Sequence, residues 1–161
     1  MKVLAAVPLL SLAVMVAACN SAPPVTEEED TAPEGLAQIE GTWTTDRVAV
    51  SGHGHYDGTS TLTYNADGTY LSDANFTDAD TGCVASLVHT GTYTGDGSTL
   101  QVQPTGGEVE VTSCTDETSN IARRAHAEDE LAQARSSIAW NVTDGTLTLD
   151  TGDGLERTYN R

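Results

Sequence analysis

The chain predicts an all-β fold: an antiparallel up-and-down β-barrel of eight to nine strands, with one helical insertion near 116–135. Three observations predict it. Five Asp-Gly dipeptides punctuate the chain: Asp57-Gly58, Asp67-Gly68, Asp96-Gly97, Asp144-Gly145 and Asp153-Gly154. Both residues tolerate positive φ, so Asp-Gly between alternating segments signals hairpins. The segments between them alternate apolar and polar residues, with threonine abundant at the polar positions. One stretch, Asp116 to Arg135, breaks this pattern and lacks Gly and Pro altogether.

The expected strands cover 41–50, 59–65, 69–76, 84–94, 98–103, 107–114, 137–143, 146–151 and 154–160. In the second, Leu62 and Tyr64 share one face. The third and fourth lie between Asp67-Gly68 and Asp96-Gly97. Leu100 and Val102 share a face in the fifth, and Val109 and Val111 in the sixth. Ile138, Trp140 and Val142 follow, then Leu147 and Leu149, then Leu155 and Tyr159. Period two with one polar face describes antiparallel strands covering a single core. A meander of this length removes its exposed edges by closing on itself.

Between the sixth and seventh strands, 116–135 reads as a helix. Asp116 and Glu117 suit its start and Arg135 its end. Arg124 and Glu128 stand four apart and can pair. Ile121, Ala127, Leu131 and Ala134 make a narrow apolar stripe, so the helix rests on the barrel, as a lid over an open end or as a plain surface helix.

The chain begins Met1-Lys2, continues with an apolar run from Val3 to Ala18 and reaches Val16-Ala17-Ala18-Cys19. The run is shorter than the roughly 20 residues of a spanning helix and contains Pro8. A charged start, an apolar run and small residues make a secretory signal over 1–18; an uncleaved anchor is the other reading. The pattern resembles the bacterial lipoprotein signal. That resemblance implies cleavage before Cys19 and two or three acyl chains, palmitate among them, on this residue. More than one chain is needed for stable attachment. Asn20 and Ser21 follow, with no Asp directly after the cysteine, which by the same resemblance implies sorting to the outer membrane of the cell envelope.

Residues 19–37 form an acidic tether. It is Pro-rich at first, carries Glu27-Glu28-Glu29-Asp30 and shows no apolar period. The folded domain then spans 38–161. Without Lys2, six of the seven basic residues remain against 24 acidic ones, a balance of −18. Every remaining basic residue is an arginine. Such a surface repels nucleic acid and anionic head groups. It suits an ordinary solvated or salt-adapted exterior, or the attraction of a cationic partner.

The folded body resembles bacterial lipocalin-like lipoprotein domains over roughly 41–161. Carrying the likeness are Gly41-Thr42-Trp43, Leu62 to Tyr70 (LTYNADGTY), Gly91-Thr92-Tyr93, Asp144 to Leu149 (DGTLTL) and the terminal Tyr159-Asn160-Arg161. In lipocalins the Gly-x-Trp tryptophan packs at the closed barrel end against a late basic residue. By that resemblance Trp43 is structural and stands beside Arg157 or Arg161. The helix precedes the last strands here, whereas the main lipocalin helix follows the barrel, so no binding residue is carried over.

For chemistry, a pocket lined by Leu62, Tyr64, Val102 and Trp140 would suit a small apolar or amphipathic ligand; the same residues could simply fill the core. Cys83 and Cys114 remain after Cys19 and form an even pair, read as a disulfide in an exported compartment or, more weakly, as a metal pair. His53 and His55, with Asp57 nearby, are weak metal candidates, and no third ligand is fixed by spacing. His89 is expected to face outward from a strand and His126 to sit in the helix. Asp73, Asp78 and Asp80 crowd one loop without a calcium-loop pattern. Nucleophile-elbow, zincin and phosphate-loop motifs are lacking, so the reading is not an enzyme and takes no cofactor. The expected protein is a monomer moored to a membrane through Cys19. The rival readings are a protein-interaction module, of the kind that inhibits cationic lysozymes, and a structural envelope protein without ligand.

Overall fold

The computed structural model describes residues 35–161. The signal, Cys19 and the tether as far as residue 34 lie outside the described residues. The strands are β1 (Gly41–Val50), β2 (Gly54–Tyr64), β3 (Thr69–Thr77), β4 (Val84–Gly95), β5 (Thr99–Thr112), β6 (Ile121–Ala125), β7 (Ser136–Thr143), β8 (Thr146–Asp150) and β9 (Glu156–Asn160). Among the described residues one short α-helix, α1 (Glu128–Gln133), precedes β7. Strands β1 to β5 pair in sequence, β5 continues to β7, and β7, β8 and β9 lead back to β1. Every pairing is antiparallel, so eight strands close a barrel and β6 is an extra one. The seam is narrow: β9 meets β1 through the register pair Thr44 and Asn160.

Apolar alternation places the core where expected. Leu62, Tyr64, Leu100, Val102, Ile138, Trp140, Leu147, Leu149 and Tyr159 are all buried. One end is sealed. A single 3-10 turn, Leu36–Gln38, drives Leu36 and Ile39 into it beside Trp43, Leu100 and Leu147, all fully buried. The folded body therefore starts before residue 38. Leu36 is apolar in an otherwise polar stretch and finds its burial in the barrel end.

Two corrections concern the middle of the chain. The strands expected at 98–103 and 107–114 are one continuous β5, which passes Pro104 and Gly106-Gly107 with a bulge opposite Thr90 and Gly91. Gly107 permits this at φ 140°, where a Cβ would overlap the Val88 carbonyl oxygen. Gly107→Ala is expected to destabilise the barrel by about 1–3 kcal/mol, because backbone rather than a flexible side chain must move. Thermal unfolding checks this, and an unchanged midpoint would count against the close approach.

The helix expected at 116–135 is a 3-10 turn (Glu117–Ser119), then β6, then the short α1. The reason is an open ladder. β7 covers only Thr99 to Val102 of β5, so the later half of β5 offers unpaired backbone groups, and β6 takes Glu108 to Val111. Helix propensity yields to that pairing. Arg124 forms two hydrogen bonds to Glu130, at 2.8 and 2.7 Å, instead of pairing with Glu128.

The abundant aspartates have a local use. Asp67, Asp78, Asp96, Asp116, Asp150 and Asp153 each accept a hydrogen bond from the backbone N–H two residues ahead, at 2.8 to 3.0 Å. Threonine hydroxyls first, and these backbone bonds second, hold Asp67, Asp78 and Asp116 below the ordinary carboxylate range, while at Asp96 the Ser98 and Thr99 N–H groups lead. Their stabilisation is complete above the usual aspartate pKa near 3.9 and is lost as pH falls through the lowered values. Asp144-Gly145 forms a two-residue hairpin with φ of 52° and 79°, the primed turn that Asp-Gly favours. Asp57-Gly58 is no turn. It lies inside β2, where Gly58 lets the backbone of Asn75 and Phe76 come close.

Candidate functional site

Above the sealed end the barrel opens into a cavity of about 510 Å³, within the roughly 300–1,000 Å³ common for small-molecule sites. Period two brings its walls together. Leu62 and Tyr64 come from β2, Tyr70 and Ala74 from β3, Leu87 from β4, Val102 and Pro104 from β5, Ile138 from β7 and Leu149 from β8. Val48 to Ser51, Gln133, Ala134, Asp153 and Arg157 surround the open end. The end of the β6–α1 segment thus stands at the cavity rim.

Polar groups inside are mostly hydroxyls: Ser60, Ser72, Tyr64, Tyr70 and Tyr159. The Ser60 and Tyr159 hydroxyls lie 3.5 Å apart. Burial pushes the Tyr70 phenol up to about 12. It raises Tyr64 further, aided by Tyr159, Tyr70 and Tyr93. Both stay neutral and able to donate at any physiological pH. The charged pair at the rim is self-satisfied. Arg157 reaches both Asp153 carboxylate oxygens, at 3.1 and 2.7 Å, and also bonds Thr151 Oγ1 and the Leu155 carbonyl. The Arg157 guanidinium, followed by the Leu155 N–H, holds Asp153 well below the usual carboxylate range.

Leu62, Tyr64 and Val102 line the cavity, whereas Trp140 does not. Its indole Nε1 donates to the Asp96 carbonyl at 3.1 Å, which ties it to the β4–β5 turn at the sealed end. Trp43 is fully buried there, with the Arg161 guanidinium 4.3 Å from its ring centroid. Arg161 and not Arg157 is its basic neighbour. Cys83 and Cys114 form a disulfide, which fastens the β3–β4 loop to the segment after β5. His53 lies in an exposed turn, and His55 and Asp57 sit on an exposed face of β2. Among the described residues no three His, Cys, Asp or Glu side chains converge as a metal site would require. Asp73 takes a hydrogen bond from Asn75, and Asp78 closes its own turn.

At the rim the structure overturns the outward orientation expected for His89 and the helical position expected for His126. His89 faces inward, in step with Ala85 and Leu87, and lines the cavity. His126 lies before α1, not within a helix, and its ring stacks on His89 at 4.4 Å between centroids and 8° between planes. The period-two pattern of β4 could have placed His89. No local signal could have placed His126, because its position follows from β6.

No family model matches the chain, and no curated protein is found to match it.

Proposed function

We propose that this chain is a lipid-anchored protein of the bacterial envelope whose barrel binds a small apolar or amphipathic molecule. The single observation that carries the ligand reading is the cavity. It is walled by aliphatic and tyrosine side chains, plugged at one end and open at the other. Burial of ligand surface supplies affinity, at about 25 cal/mol per Å² of apolar area. Tyrosine and serine hydroxyls orient any polar group. The rim ion pair neutralises itself, so the lining favours an uncharged body. The lipoprotein-like start of the sequence supports the envelope location and the mooring through Cys19.

Ala74 lines the cavity, so Ala74→Trp should fill it with little effect on the ladder. The neutral dye N-phenyl-1-naphthylamine is expected to bind the parent with a fluorescence increase. Its affinity should fall about tenfold or more in the variant, a change of about 1.4 kcal/mol or more. Native mass spectrometry of the purified protein should show a co-purifying small molecule. Absence of both dye binding and bound mass would defeat the ligand reading. A globomycin-sensitive shift in mass at Cys19 tests the anchor separately.

A further inference from the structure

We propose that the stacked His89 and His126 rings form an acid-sensitive latch, which holds the β6–α1 segment over the cavity rim and releases it when both rings become charged. The chain segment they join is weakly held otherwise. Its helix α1 contains no buried residue. Its strongest ion pair, Arg124 with Glu130, lies wholly within the segment and opposes nothing when the segment lifts. Its ties to the barrel among the described residues are the β6 pairing with β5, the exposed Arg123 ion pairs to Glu108 and Glu110, the His126 N–H to the Gly107 carbonyl at 3.2 Å, and the ring stack itself. Segments with few buried contacts open locally at small cost.

The charges around the stack decide its response. From α1, Glu130 stands 3.5 Å from His126 Nδ1. From β6, Arg124 already occupies both Glu130 oxygens, while Arg123 sits on Glu108 and Glu110 of β5. Across the rim, Asp153 and Arg157 cancel each other. One proton on His126 would therefore face a carboxylate shared with Arg124. A second, on His89, has no carboxylate among these contacts and would stand 4.4 Å from the first. His126 Nε2 is also buried without a hydrogen-bond partner among the described residues, so the closed position offers that N–H nothing to donate to. Opening lets both rings reach water.

The sign follows. Burial first, and His126 second, lower the pKa of His89 in the closed form. The open form takes up protons more readily, so closure is complete above the ordinary imidazole pKa near 6.5 and weakens as pH falls below it.

Hydrogen exchange of the purified full chain, corrected for the intrinsic pH dependence of exchange, tests the latch. Between about pH 7.5 and about pH 5, protection of 121–134 is expected to fall about tenfold or more, as like charges at this separation repel strongly in a partly buried site. Protection of β8 should not change. His89→Phe keeps a ring for stacking and carries no charge, so it should hold its protection at the lower pH; His126→Phe serves if that variant does not fold. Equal protection of 121–134 at both pH values in the parent would overturn the latch, and so would a parent-like loss in a folded phenylalanine variant. Control of ligand release rests on the cavity reading above: dye bound at about pH 7.5 should leave over the same pH range. Failure of the dye to bind at any pH defeats the ligand reading alone and leaves the exchange result to judge the latch.

Discussion

Trp43→Ala is expected to destabilise the barrel by about 4–5 kcal/mol, the largest effect of any single substitution considered. The ring is fully buried at the sealed end, and truncating a core tryptophan costs about 3–5 kcal/mol through lost burial and the void left behind. Two further losses add to that. Its Nε1 donates to the Ile39 carbonyl at 2.6 Å, so the plug loses the bond that fixes its last turn. Arg161 loses the aromatic face beneath it, worth about 0.5–1 kcal/mol. Arg161 also donates to the Gln38 and Glu40 carbonyls, at 2.9 and 2.7 Å, so the last residue, the plug and the first strand are one unit. Domains of this size have only about 5–15 kcal/mol in total. Urea denaturation should therefore show a variant near the edge of folding. Trp43→Phe keeps an aromatic face beneath Arg161 but loses the Nε1 bond to Ile39, and should cost about 1–3 kcal/mol. A loss under about 2 kcal/mol for Trp43→Ala would mean that the sealed end contributes little to stability.

The second large effect is expected from removing the disulfide. Cys83 and Cys114 are 31 residues apart. In the chain-entropy model, closing a loop of that length stabilises the fold by about 3–4 kcal/mol. The bond also joins the two ends of the β4–β5 hairpin at the open side, where Val84 pairs with Thr112. The double substitution to serine avoids a stray thiol. Its denaturation midpoint should fall accordingly, and the dithiothreitol-reduced parent should match it. A midpoint unchanged in both would show that β4–β5 pairing alone holds this end.

Most of the barrel was legible because its strands alternate and its turns carry Asp-Gly. Leu147 and Leu149 face one way, threonines face the other, and Asp144-Gly145 can turn only one way between them. The same signals misled where local and long-range terms competed. Asp57-Gly58 has turn chemistry but serves a close backbone approach to Phe76, which no local pattern reveals. The alanine-rich run after Asp116 favours a helix by composition, yet β5 outlasts β7 and its free edge takes Ile121–Ala125 as a strand. Pro104 and Gly106-Gly107 resemble a strand break, while the barrel uses them as a bulge. For the cavity, alternation identified Leu62, Tyr64 and Val102. It could not separate Trp140, because residues above and below the plug share the same inward phase. The histidine stack was illegible for the same reason as β6: it joins positions 37 residues apart in sequence through a pairing decided elsewhere.

Gly35 enters the fold at the plugged pole, against Gly97 of the β4–β5 turn, and the aperture lies at the opposite pole. Under the mooring proposed above, a pull transmitted through Gly35 would be borne by the stopper at that pole. Under the proposed ligand reading, the point where the chain enters the fold and the doorway a cargo would use stand at opposite poles.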